Sequence, residues 1–166
     1  MWTKEALDAT RAAPENKLTV GSPVEQQAIA QFEKFNGDFS VANITNNTAN
    51  VYASEVYFCD PFKQIHGEAE FQAYLLRSAQ AVAEYHMDWK DVASHDGNYY
   101  FRWVMTLKLK RDGKNKPATL TTGMSHVRFD KDGKVVFHQD YYDAGAFLYE
   151  KVPIMGGVIR HIKKSL

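Results

Sequence analysis

The stretch Asn98-Tyr99-Tyr100-Phe101-Arg102-Trp103-Val104-Met105-Thr106-Leu107-Lys108-Leu109-Lys110 decides the fold. Tyr99, Phe101, Trp103, Met105, Leu107 and Leu109 alternate with Tyr100, Arg102, Val104, Thr106, Lys108 and Lys110. Successive side chains of a strand point to opposite faces, so this pattern is a long strand with one apolar face to bury and one mixed face. Before it, His86–Ala93 reads as a partner strand, joined through the turn His95-Asp96-Gly97-Asn98. After it, Ala118–Phe129 and Val135–Tyr142 read as two further strands, with Asp130-Lys131-Asp132-Gly133 as the turn between them. Gly123 falls where the apolar face switches, which predicts a bend or bulge in the third strand.

Towards the N-terminus the period changes from 2 to about 3.6. Ser22-Pro23-Val24-Glu25 is a helix start, with a capping serine, a proline in the first turn and an early carboxylate. Ala28, Ile29, Phe32 and Phe35 give that helix an apolar face over residues 24–36. A second helix over 40–54 carries Val41, Ile44, Thr48, Val51 and Tyr52, and a third over 68–83 carries Phe71, Leu75 and Val82. Between these two helices, Glu55–Cys59 is a short strand ended by Asp60-Pro61. Residues 1–23 form a polar, loosely held extension with one short helix around Glu5–Ala12. Residues 144–166 return to helix, with Ile154, Val158, Ile159, Ile162 and Leu166 on one face and basic residues around the rest. Helices first and antiparallel strands afterwards is an α+β order, a curved sheet with helices on one face.

Composition excludes several function classes. The 166 residues hold 20 Lys and Arg against 20 Asp and Glu, so the formal net charge is zero and no basic footprint for nucleic acid exists. A hydrophobic share of 45% is that of a chain with a core and not of a disordered one. The single cysteine, Cys59, excludes an internal disulfide framework and a multi-cysteine zinc site. No stretch approaches the ~18 apolar residues of a membrane span, and MWTKEALDATRAAPENK lacks the apolar centre of a signal peptide. The expectation is a soluble protein of a reducing, cytoplasmic compartment. The five basic residues within Lys108–Lys116 read as a solvated hairpin tip.

Of the six histidines none forms a His-x-x-x-His or Glu-x-x-His pair. His126 and His138 lie on adjacent expected strands and could face each other, with Asp140 as the nearby third donor; the sequence implies no metal. Asp60 ends a strand inside the aromatic frame Tyr57-Phe58-Cys59-Asp60-Pro61-Phe62. Strand alternation puts Val136, His138, Asp140 and Tyr142 on one face. If that face lines a concave side, Asp140 is a carboxylate among apolar and aromatic groups, a setting suited to proton transfer. The alternative is that Asp140 accepts hydrogen bonds and fixes the end of its strand.

The early helix pair, Tyr57…Asp60-Pro61…Gly67 leading into a helix, Arg102-Trp103-Val104-Met105 and the closing Phe129-Asp130…Gly133-Lys134-Val135…Asp140-Tyr141-Tyr142-Asp143 together resemble the SnoaL-like branch of the NTF2-like superfamily. The resemblance spans about residues 24–150 and leaves 1–23 as an extension and 151–166 as a helix packed on the domain or on a partner subunit. It implies a cone: a curved, mainly antiparallel mixed sheet wrapped around the N-terminal helices, with a deep apolar pocket and a homodimer through the sheet. Relatives include ketosteroid isomerase, polyketide cyclases and limonene-epoxide hydrolase. Asp60 stands where ketosteroid isomerase has its base, but the positions matching its oxyanion donors fall near Ala30, beside Phe32, and at Ser125. Asp140 fits the first aspartate of the closing epoxide-hydrolase segment, whose arginine and second aspartate fall near Trp103 and Met105. With His138, Asp140 is closest to the polyketide-cyclase arrangement. The implied candidates are therefore Asp140, Asp60 and His138 for catalysis. Tyr57, Phe32, Trp103, Met105, Ser125 and Tyr142 are the implied pocket residues, and no cofactor is implied. The implied ligand is a small lipophilic molecule, carbonyl-bearing or cyclic. The chemistry is isomerase- or cyclase-like proton transfer, with a non-catalytic binding module and a protein-interaction domain as alternatives.

Overall fold

The computed structural model describes residues 2–11 and 17–144. The expected C-terminal helix therefore lies outside the described residues. Among the described residues four α-helices, α1 (Trp2–Arg11), α2 (Pro23–Gly37), α3 (Val41–Val51) and α4 (Glu68–Ala81), accompany six strands. The strands are β1 (Tyr52–Cys59), β2 (Gln64–His66), β3 (Val82–His95), β4 (Asn98–Leu109), β5 (Thr119–Phe129) and β6 (Val135–Tyr142). They form one sheet in the order β2-β1-β6-β5-β4-β3. β3 to β6 are an antiparallel meander, and β1 joins it in parallel beside β6, which makes the sheet mixed. None of the described helices is long and apolar enough to cross a membrane.

Local chemistry sets the helix ends. The Ser22 hydroxyl accepts from the Glu25 amide at the start of α2, and the Ser40 hydroxyl accepts from the Asn43 amide at the start of α3. Glu25 is buried yet satisfied, because the Gly21 amide and the Tyr99 hydroxyl each donate to it at 2.6 Å. That pair ties the first turn of α2 to β4. α2, α3 and α4 lie on the inner face of the sheet around a core that includes Phe32, Ile44, Phe71, Phe101 and Val127.

Three expectations are corrected at the level of the backbone. Gly123 makes no bulge: β4 and β5 run in unbroken register from Tyr99–Val127 to Leu107–Thr119. The inward set of β5 is continuous through Thr121, Gly123, Ser125 and Val127. The apolar residues that suggested a switch, Leu120 and Met124, belong to the outer face. Gly123 instead makes room, since a Cβ there would stand 2.2 Å from Cη2 of Trp103. The irregularity lies at the start of β6, where Phe129 pairs with Val135 and Arg128 with Phe137. Val136 is the extra residue, so Val135 and not Val136 joins the inward set of His138, Asp140 and Tyr142. Finally, α1 is seated and not loose: Ala6 is buried with Tyr57, Cys59 and Phe137 on the outer face of β1 and β6. The Arg128 guanidinium also donates to the Thr10 carbonyl.

Candidate functional site

Inward side chains of β3 to β6, together with α4 and the β1–β2 connection, enclose a cavity of about 570 Å³. Its walls are mostly apolar and aromatic, including Phe58, Phe71, Trp89, Trp103, Met105 and Leu107. Asp60, Ser125, His138, Asp140 and Tyr142 also line it, so seven of the expected residues meet at one surface. Two do not. Tyr57 sits on the outer face, its ring stacked on Phe137 at 5.5 Å beneath α1. It pairs with the outward Phe137 in the β1–β6 register, which turns it away from the cavity. Phe32 lies behind the wall, in the core against Phe101 at 4.5 Å and edge-on to His138 at 5.2 Å.

Asp140 is the centre of a hydrogen-bonded row. The Trp103 indole N–H donates to Ser125 Oγ at 3.0 Å, and Ser125 Oγ donates to Asp140 Oδ1 at 2.5 Å. His138 Nε2 stands 2.9 Å from the same oxygen, and His138 Nδ1 stands 3.1 Å from the Tyr52 hydroxyl. An ionised carboxylate only accepts, so Nε2 is the donor to it, and in the neutral imidazole Nδ1 then accepts from the Tyr52 hydroxyl. Asn36 Nδ2 closes the row by donating to the Tyr52 oxygen at 3.2 Å. Burial holds the Tyr52 phenol well above its ordinary pKa, so it remains a neutral donor. The imidazole lies between the rings of Phe32 and Phe58 in T-shaped contacts, each with centroids 5.2 Å away. Asp140 Oδ2 accepts no hydrogen bond among the described residues. The carboxylate is thus oriented through one oxygen with the other unengaged.

Asp60 is built differently. Its Oδ1 accepts from the amides of Phe62 at 2.7 Å and Lys63 at 2.6 Å, closing the turn after β1. Its Oδ2 accepts from the Tyr74 hydroxyl at 2.6 Å. Both oxygens are engaged. Burial raises the Asp60 pKa, and the three donors pull the other way. Tyr74, pushed up by burial and by the adjacent Asp60, is the second polar group on this wall.

His126 and His138 do not face each other. Val127 is the partner of His138, so His126 faces outward, stacked on Tyr100 at 4.7 Å. Burial lowers its pKa to about 4. Among the described residues no three His, Cys, Asp or Glu side chains stand together as a metal would require.

Sequence reasoning missed Tyr52, Asn36, Tyr74 and Tyr85. Tyr74 follows Phe71 by three positions on α4, and Tyr85 alternates with Met87 and Trp89 on β3. Both signals lie in the sequence pattern, but Tyr74 is not among the apolar positions singled out on its helix, and Tyr85 falls just before the strand expected at His86–Ala93. Tyr52 is expected on the apolar face of the second helix, whereas it is the residue at which α3 turns directly into β1.

Known structures share this architecture. A candidate SnoaL-like polyketide cyclase from Jannaschia superposes with a TM-score of 0.63 at 12% identity, over 79% of this chain and 95% of its own. An LEH-like epoxide hydrolase of M. tuberculosis gives 0.59 at 16%, over 73% and 86%. A protein of ketosteroid isomerase-like fold from Catenulispora acidiphila, solved in complex with trimethylamine, gives 0.59 at 14%, over 73% and 88%. At these identities the likeness is one of fold. No curated protein sequence matches the chain. The SnoaL-like domain family matches residues 30–138, which reach from the middle of α2 to the histidine beside Asp140. The cone, the cavity inside it and that match agree: the chain belongs to the SnoaL-like domain family.

Proposed function

We propose that the cavity takes up a small lipophilic molecule, carbonyl-bearing or cyclic, and that Asp140 moves a proton on it. One observation carries this reading: Asp140 reaches an apolar cavity of about 570 Å³ with Oδ1 held by Ser125 and His138 and Oδ2 unengaged among the described residues. A carboxylate so placed accepts a proton from a carbon next to a carbonyl and returns it at another position. A positioned base in a water-poor site is sufficient for that chemistry. His138 is a positioning residue for the carboxylate, and Tyr142 is a wall against which the substrate rests. Asp60 holds the β1–β2 turn and orients Tyr74. The outer face of the sheet is the contact between two copies.

Proton abstraction is testable without the natural substrate. Long-chain 2-alkanones and cyclic ketones incubated with the protein in D2O gain deuterium next to the carbonyl, read by mass spectrometry. Asp140→Asn keeps the shape and slows the exchange by at least ~100-fold. Ketone binding, read through Trp89 and Trp103 on the cavity wall, stays within a few fold. Ketones that bind the wild-type protein without exchange overturn the catalytic reading in favour of a binding module. The specific support for that second reading is that Trp103, Ser125 and Tyr74 all spend their donors on protein acceptors.

A further inference from the structure

The charged residues on the cavity wall are segregated. Asp60 and Asp140 carry the negative charge, Lys110 and Arg111 the positive. Ser125 pairs with both Asp140 and Phe101, so the Asp140 carboxylate lies level with Phe101. Leu109 lies eight residues further along β4, immediately before Lys110 and Arg111. At ~3.3 Å per residue the two charged ends are roughly 26 Å apart measured along the curved strand. Trp103, Met105, Leu107 and Leu109 form the wall between them. At the cationic end β4 gives way to one turn of 3-10 helix, Lys110–Asp112, ended by Gly113 at φ 71°. Lys110 Nζ donates to the Gln80 carbonyl at 2.7 Å, which ties this rim to the end of α4. Arg111 is exposed and makes no hydrogen bond or ion pair among the described residues. Nearby Lys108 and Lys116 are each set against an acid, Glu84 and Asp112.

We infer that the ligand is an elongated amphipathic anion: an apolar body along β4, with a carboxylate or phosphate head held at the rim by Arg111 beside Lys110. This inference rests on the reading of the cavity as a lipophilic site and adds its polarity. A guanidinium presents a planar fork that matches either head in bidentate fashion. Arg111, unpaired among the described residues, stands at the end of the cavity remote from Asp140. An anionic head is repelled from Asp140 and drawn to this rim, which leaves the body of the chain beside the carboxylate.

The test uses dodecanoate, dodecyl phosphate and methyl dodecanoate below their aggregation limits, followed by tryptophan fluorescence and calorimetry. The wild-type protein binds at least one of the two anions about tenfold more tightly than the neutral ester. Arg111→Ala removes most of that gain, Arg111→Glu inverts it, and neither variant changes the ester's affinity, which also shows that both fold. Whichever anion shows the larger Arg111-dependent gain identifies the head as carboxylate or phosphate. Raising the salt concentration weakens the anions and leaves the ester unchanged. Equal binding of anions and ester by the wild-type protein, or an equal loss of both in Arg111→Ala, overturns the inference and leaves the lipophilic site standing. Failure of all three probes to bind overturns the lipophilic site and this inference with it.

Discussion

At the scale of single residues, the site depends on a side chain that is missing. Gly123 is inward-facing on β5, and the Trp103 ring lies over it, with Cη2, Cζ2 and Cζ3 all within 2.7 Å of where a Cβ would be. Trp103 cannot retreat freely, because its indole N–H is fixed to Ser125, which donates to Asp140. Gly123→Ala therefore strains the wall and the row of hydrogen bonds together. Overpacking of this kind costs about 1–3 kcal/mol. Urea denaturation should show that loss for Gly123→Ala, and should show most of it recovered in Gly123→Ala/Trp103→Phe, where the smaller ring leaves space for the methyl group. A double variant whose losses merely add would mean that the two residues do not share the site. This pairing is also what a linear reading cannot supply. A glycine in a strand signals a bulge as readily as a close approach, and only the register that sets Gly123 opposite Trp103 separates the two.

At the scale of elements, period and position carry different amounts of information. The meander β3 to β6 was legible because each strand repeats inward and outward residues many times over. The faces of β4 were legible, but that of β5 was not, although its pairing with β4 is regular, because Leu120 and Met124 put apolar side chains on the outer face. In β6 the face was lost where an extra residue, Val136, enters, and Lys90 between Trp89 and Asp91 is a second such insertion. One inserted residue exchanges the faces on either side of it and leaves no mark in composition. Most cavity residues were legible for the same reason as the strands. Tyr57 was misplaced because β1 is short and its outer face is also buried, so burial there does not mean inward. What buries it is α1. Ala6 is 4% exposed, and Tyr57 and Cys59 lie beneath it at 5% and 4%. Cys59, the sole cysteine, therefore reports on the seating of this helix. Burial also raises its thiol pKa, which slows its reaction further. Ala6→Glu places a charge against an apolar surface and should lift α1. Labelling of Cys59 by a thiol reagent should then accelerate at least ~10-fold while cavity ligands still bind. Unchanged labelling would mean that α1 does not control access to this face.

At the scale of the whole molecule, the two faces of the sheet have separate tasks. The inner face wraps the helices and the cavity. The outer face is divided: α1 covers β1 and the start of β6, while β3, β4, the first half of β5 and the end of β6 are uncovered by any described element. On that bare region Leu120 is 68% exposed, opposite Thr106, and Tyr141 is 46% exposed, opposite Met124. Val104 and Thr122 pair between them, so the surface is continuous across three strands. Arg102 and Asp91 pair with each other on the same face, which lowers the cost of covering both charges. A sheet-to-sheet homodimer over this region would bury about 800 Å² on each partner, the standard size of a stable contact. In a two-fold dimer each Leu120 is used twice, once from either copy. Burying a leucine side chain is worth about 1.5–3 kcal/mol, so removing both costs roughly 3–6 kcal/mol, or about two to four decades in dissociation constant. Leu120→Asp removes that gain and adds two charges at the contact without touching the core. Light scattering at micromolar concentration should give about twice 18.9 kDa for the wild-type chain and about 18.9 kDa for Leu120→Asp, with melting and cavity binding of the separated chain retained. A wild-type mass of a single chain would sink the dimer. A variant that stays dimeric would move the contact away from β4 and β5, to the part of the sheet that α1 covers.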